Sequence, residues 1–147
     1  DLMSDMRKNI KGESDRDTRF AVEKYLIGLA RAGMGKDELD RYPNPLKAKD
    51  LPAELKAVRD EFVGRKLYQL SSPAPMREKN ESIQKFKERK ANYDEQRDNA
   101  KDFLESTDFT RAEKVELLRK EAKRRGQNAN VLYNGRRTAF GERLSRL

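Results

Sequence analysis

Residues 50–70 read DLPAELKAVRDEFVGRKLYQL, and the spacing of their apolar side chains decides the fold class. Leu51, Leu55, Val58 and Phe62 step by four, three and four residues, and Leu67 and Leu70 extend the same face. That period lays one stripe along an α-helix. Asp50 is suited to cap this helix, and Pro52 is tolerated in a first turn, where its missing N–H has no helical partner to lose. Ser71-Ser72-Pro73-Ala74-Pro75 then stops the helix and restarts the chain, because proline fits a first turn but not an interior.

Upstream, Phe20, Val22, Tyr25, Leu26, Ile27, Leu29 and Ala30 make residues 17–31 apolar over more than half of a helix surface, with Gly33 as the stop. Tyr25 and Met34 read as packing residues rather than ligand contacts. Gly33, Gly35, Pro43, Asn44 and Pro45 break regular structure over residues 33–50, leaving room for one short helix near residues 36–41. Residues 1–14 lack an apolar period and are expected to be a frayed lead-in.

Downstream, residues 75–105 are expected to form a long charged helix. Its Met76, Ile83, Phe86, Tyr93, Ala100 and Leu104 follow a seven-residue repeat that Lys79, Lys90 and Arg97 interrupt. Three cations on the seam argue against a coiled coil and for packing over part of the length. Thr110-Arg111-Ala112-Glu113 is a capping box that opens a further helix with Val115, Leu118 and Ala122 on its apolar face. Gly126 and the polar residues 127–130 weaken that helix, and both a continued and a broken helix fit them. Val131-Leu132-Tyr133 is a last apolar patch, Asn134-Gly135 lacks two suitable flanking strands, and residues 138–147 fit a short final helix. The expected fold is all-α, an extended or thin bundle of four to five helices. Residues 1–70 would form an N-terminal helical pair with a Pro/Gly-rich connector, and residues 75–147 the long charged helix with a basic helical segment.

Composition narrows the chemistry. Charged residues make up 41% of the 147, while Leu, Ile, Val and Phe total 29, about the level at which a chain struggles to bury enough apolar surface to fold alone. Support from partner subunits of an assembly is therefore expected. Cysteine and histidine are absent, which removes disulfides, thiolate nucleophiles, the usual neutral-pH general base and the commonest metal ligand. No apolar run approaches the roughly 20 residues of a membrane span. Beginning at Asp1 rather than Met, the chain is expected to be a piece of a longer polypeptide, with any catalytic region elsewhere in its parent.

Other motifs are set aside. Gly33-Met34-Gly35-Lys36 lacks the earlier glycine of a phosphate loop and has Asp37 where a hydroxyl would hold magnesium. Asp37, Glu38 and Asp40, like Asp94, Glu95 and Asp98, do not follow a calcium loop and read as solvated helix charges. Tyr25, Tyr42, Tyr68, Tyr93 and Tyr133 sit in no recognisable nucleophile framework and read as packing residues. No catalytic residue, metal or cofactor is expected.

The excess charge is concentrated at one end. Residues 111–147 carry 11 Lys or Arg against 4 Asp or Glu, a net of +7, whereas residues 1–110 carry 23 against 22. Arg119, Lys120, Lys123, Arg124, Arg125, Arg136, Arg137, Arg143 and Arg146 are the candidate phosphate contacts, with Tyr133 or Phe140 to stack on exposed bases. An acidic protein surface is the alternative partner. Binding to nucleic acid would be weakly sequence-specific, since no recognised reading motif accompanies the charge.

The order of a long charged helix, Asp108-Phe109-Thr110-Arg111-Ala112-Glu113-Lys114 and Leu117-Leu118-Arg119-Lys120-Glu121 resembles the helical C-terminal regions of very large phage polyvalent and internal virion proteins. The resemblance spans residues 55–135 and places no catalytic residue on this chain. It implies a non-enzymatic structural or assembly segment of a phage or mobile-element protein, carried in the virion and delivered with the genome, or cytoplasmic. Two alternatives are a secreted bacterial effector or adaptor that binds a protein partner, and an accessory DNA-binding module of a conjugation or replication protein.

Overall fold

A computed structural model describes residues 15–31, 33, 35–41 and 46–147. Its elements are helices α1 (Asp15–Arg31), α2 (Lys36–Arg41), α3 (Ala53–Leu70), α4 (Ile83–Glu105) and α5 (Arg111–Arg124), strands β1 (Leu132–Tyr133) and β2 (Arg136–Arg137), and helix α6 (Ala139–Ser145). The fold is all-α apart from one two-stranded hairpin. The lead-in over residues 1–14, Met34 and the Tyr42-Pro43-Asn44-Pro45 part of the connector lie outside the described residues.

Helix α3 packs against α1, α4 and α5. With neighbours on three sides it buries Leu55, Arg59, Phe62, Val63, Gly64, Lys66 and Leu67, which at 100° per residue sweep about 200° of its circumference. The face of period three and four is thus only part of what α3 hides, and Gly64 lies beyond it. Its start differs from expectation, since Asp50 is exposed and forms no cap. Pro52 is the N-cap instead, and its carbonyl accepts from the N–H of Leu55 at 2.9 Å and, as the first helical bond, from that of Lys56 at 3.1 Å.

One core joins residues from both sides of the 71–75 break: Tyr25 and Leu29 of α1, Leu46 and Leu51 of the connector, the α3 residues, Phe103 and Leu104 of α4, Leu117, Leu118 and Ala122 of α5, and Phe140 of α6. Phe62 and Phe103 meet edge to face with ring centroids 5.2 Å apart, the geometry that the charge distribution of aromatic rings prefers. Arg59 ties the connector down, donating from Nη1 to the carbonyls of Ala48 and Lys49, each at 2.9 Å. The guanidinium also reaches Asp60 Oδ1 at 2.6 Å.

Helix α4 begins at Ile83, eight residues later than the proline-based expectation. The cause is a clasp over residues 76–89. Glu81 accepts from Arg89 at 2.6 and 2.7 Å, Arg89 also donates to the Met76 carbonyl at 2.9 Å, and the Glu78 N–H reaches Glu81 at 3.2 Å. With Glu81 so held, Ser82 becomes the N-cap and accepts from the Lys85 N–H at 3.1 Å. Met76 lies outside the helix, and among the α4 residues only Ala100, Phe103 and Leu104 are buried. The helix packs over part of its length, and its first four turns stand largely in solvent.

The capping box forms as expected. The Thr110 N–H donates to Glu113 Oε1 at 2.9 Å, and the Glu113 N–H donates back to Thr110 Oγ1 at 3.2 Å. Of the two readings at Gly126, the break is observed. Gly126 has φ +73°, its N–H donates to the Lys123 carbonyl and the Gln127 N–H to the Ala122 carbonyl, the paired bonds of a Schellman stop. Beyond it, Asn134-Gly135 does turn a hairpin, contrary to expectation. Both residues have positive φ, at 49° and 74°, and register Leu132 opposite Arg137 and Tyr133 opposite Arg136. Strands of two residues are too short to show alternation in sequence. Thr138 then caps α6, accepting from the Gly141 N–H at 3.0 Å. Among the described residues no helix is long and apolar enough to cross a membrane.

Two expectations follow from this packing. A Cβ on Gly64 would stand 3.1 Å from Glu121 Cβ and 3.2 Å from the Leu117 carbonyl, both fixed on α5. Gly64→Ala is therefore expected to lose about 1 kcal/mol net, overpacking outweighing the propensity gain of Ala within a helix; urea unfolding by circular dichroism measures it. The second concerns acid. The clasp with Arg89 lowers the Glu81 carboxyl from 4.5 to about 2, and the Thr110 N–H, with Lys49 3.0 Å away, lowers Glu113 likewise to about 2. A carboxyl depressed on folding stabilises the fold above its unfolded value and loses that contribution as pH falls through the folded one. Melting temperature should drop between pH 4.5 and about 2, and Glu81→Gln or Glu113→Gln should each flatten the drop.

Candidate nucleic-acid interface

The nine candidate cations lie on α5, β2 and α6 or, for Arg125 and Arg146, at the C-caps of the two helices, and the fold sorts them into two groups. Six are engaged within the chain. On α5, Arg119 pairs with Glu116 at 2.9 Å and lies over the Phe140 ring, and Lys120 reaches Asp60 of α3 at 3.3 Å. Arg124 and Arg125 divide the two oxygens of buried Glu121 between them, each at 2.9 Å. From α6, Arg143 donates to the Tyr68 carbonyl at 3.0 Å and Ser72 Oγ at 3.2 Å, and Arg146 donates to the Ser71 carbonyl at 3.2 Å.

These contacts converge on the C-terminal end of α3. The guanidinium carbons of Arg125 and Arg143 stand 3.9 and 3.5 Å from the Tyr68 ring centroid. Two planar groups that near one centroid would collide on a shared face, so they occupy opposite faces. Gln127 Nε2 completes the cluster with a 2.7 Å bond to Tyr68 Oη. Burial lowers the Arg143 pKa, as do the charges of Arg125 and Arg146, while Tyr68 partly offsets them; an arginine retains its proton through such a shift. Tyr68, Ser71, Ser72 and Gln127 were not among the sequence-derived candidates. Their role depends on α6 returning to the end of α3, which no local signal announces.

Lys123, Arg136 and Arg137 form the second group. All three are exposed, and among the described residues their side chains make no ion pair or hydrogen bond. Arg136 and Arg137 sit on the hairpin beside Leu132 and Tyr133, which are 61% and 65% exposed. Alternation along the strands puts Tyr133 with Arg136 on one face and Leu132 with Arg137 on the other. The second face abuts α6, because a Cβ on Gly141 would lie 2.5 Å from Arg137 Cγ. Tyr133, Asn134, Arg136, Arg137 and Thr138 line an open cleft of about 540 Å³.

The aromatic candidates separate in the same way. Phe140 is 1% exposed beneath Arg119 and has no face for a base, whereas Tyr133 is not the packing residue expected of all five tyrosines. Tyr25 is buried and Tyr93 donates to the Ser72 carbonyl at 2.9 Å. Asp37, Asp40, Asp94, Glu95 and Asp98 are exposed, and among the described residues no group of three acidic side chains is placed to hold a metal ion.

Equal charges should therefore behave unequally on substitution. Arg143→Ala removes a stacked guanidinium and the charged donor to a helix end, and is expected to cost about 2 kcal/mol of stability. Arg136→Ala should stay within about 0.5 kcal/mol, as surface changes usually do. Paired urea unfolding curves separate them. Comparison of the chain with protein-family profiles, curated proteins and solved structures finds no match.

Proposed function

We propose that this chain is a non-enzymatic helical segment of a larger phage or mobile-element protein, serving in assembly and touching nucleic acid without sequence specificity. The observation that carries the nucleic-acid reading is the group of cations with no anionic partner, Lys123, Arg136 and Arg137, next to exposed Leu132 and Tyr133. Unpaired Lys and Arg attract phosphates and release condensed counterions on contact. Strands of two residues offer too short a surface to read a run of base edges, so affinity should be independent of sequence. The assembly reading is supported by α4, where nothing before Ala100 is buried and Ile83 is 58% exposed, leaving a long face for a neighbouring subunit.

Fluorescence anisotropy with DNA of arbitrary sequence tests the nucleic-acid reading. Three phosphate contacts imply an affinity loss of about 20- to 40-fold between 50 and 200 mM salt. Replacing Lys123, Arg136 and Arg137 together by Ala should abolish that salt-dependent binding, whereas Arg119→Ala with Lys120→Ala should lower it less than about threefold, because both partners are already paired within the fold. Equal affinity at the two salt concentrations would sink the reading.

A further inference from the structure

We infer that the hairpin is built for an unstacked nucleotide of a single-stranded polynucleotide, with Tyr133 stacking on the base while Arg136, its cross-strand partner, holds a flanking phosphate. The inference rests on the nucleic-acid reading above and specifies which form of nucleic acid the site prefers.

Register supplies the first part of the argument. Tyr133 and Arg136 are direct cross-strand partners on the face turned away from α6, and such partners hold their Cβ atoms roughly 5 Å apart. An aromatic plane and a phosphate-binding fork are thus presented together. Tyr133 is the most exposed aromatic side chain among the large exposed hydrophobics, and the cleft it lines also contains the Asn134 amide, able to donate to or accept from a base edge.

The hairpin is also held in place. The Thr138 N–H donates to the Val131 carbonyl at 3.0 Å, Thr138 Oγ1 bonds the Asn130 carbonyl, and the Arg137 stem lies on Gly141. Side chains on an anchored turn lose little freedom when a ligand arrives.

The chain contains a finished version of the same chemistry for comparison. At Tyr68 both ring faces are occupied by guanidinium planes. Tyr133 as a residue is 65% exposed, so a flat π-system can still be received. A duplex presents phosphates but keeps its base faces stacked, and would leave Tyr133 idle. A single strand engages both parts of the site, since every base has a face to stack. Charge favours a polyanion over an apolar protein groove: residues 127–141 contain Arg136 and Arg137 and no Asp or Glu.

The test uses the 147-residue chain with three labelled probes at 50 mM salt: a 20-nucleotide oligo-dT, a 20-base-pair duplex and a poly-glutamate peptide. Oligo-dT should bind more tightly than duplex or poly-glutamate. Tyr133→Ala should weaken oligo-dT about tenfold and leave the duplex within twofold, and Tyr133→Phe should keep the wild-type preference; unchanged circular dichroism spectra check that each variant is folded. If Tyr133→Ala weakens neither probe, or both equally, the stacking role is wrong although salt-dependent duplex binding would leave the broader reading standing. Absence of binding to both nucleic acids overturns the two together, as does tighter binding to poly-glutamate.

Discussion

Helix α3 must be covered from three directions, and the remaining architecture follows from that demand. A chain with 41% charged residues has few apolar side chains to distribute, and burying a Leu or Phe contributes roughly 1.5–3 kcal/mol only when water is fully excluded from it. Concentrating Leu55, Phe62, Val63 and Leu67 on one helix and surrounding it with α1, α4 and α5 achieves that exclusion. The arrangement also draws charged residues inward. Arg59 is 8% exposed and Lys66 2%. Both lay aliphatic stems along the core, and their cationic heads meet aromatic rings, Arg59 over Phe109 and Lys66 over Phe62. A thin core and a high charge content are thereby reconciled on the same helix.

The end of α3 gives the basic C-terminal quarter a structural purpose. Helix termini leave carbonyls without intrahelical partners, and cations near that end are favoured by the helix dipole. The last turn of α3 contains no basic residue. Arg143 and Arg146 supply the missing donors from 75 residues away, while Ser71 and Ser72 bond the same turn locally. Much of the +7 of residues 111–147 is therefore a set of cross-links between α3, α5 and α6. Net charge alone overstates how much of this segment faces a partner.

What the sequence discloses and what it hides divide along the range of the interactions involved. Helix α2, the stop at Gly33, the capping box at Thr110 and the break after Leu70 depend on neighbours within four residues, and each was legible. The late start of α4 was not, because it turns on Arg89 reaching eight residues back to Glu81. The hairpin is hidden for a different reason: its strands contribute two residues each, and the Asn134-Gly135 turn is the whole signal. Within the candidate site the residue types were legible and their allegiance was not. Arg125 and Arg137 look alike in sequence, yet one stacks on Tyr68 and the other stands exposed, a distinction made by tertiary contacts alone.

That distinction also determines where a polyanion can land at low cost. A phosphate approaching Arg124 or Arg125 meets guanidiniums whose charge is already offset by Glu121, a buried carboxylate that accepts from the Nε of each. Displacing it would leave a buried charge unpaired, a far larger penalty than a surface contact returns. At Arg143 the competitor is the end of α3 itself, and winning would loosen α6. Arg136 has no such competitor, and its neighbour Tyr133 has no partner face to surrender. The cations that hold the fold together are thus the costlier ones for an anion to engage, and Lys123, Arg136 and Arg137, which no carboxylate among the described residues offsets, are the cheaper ones.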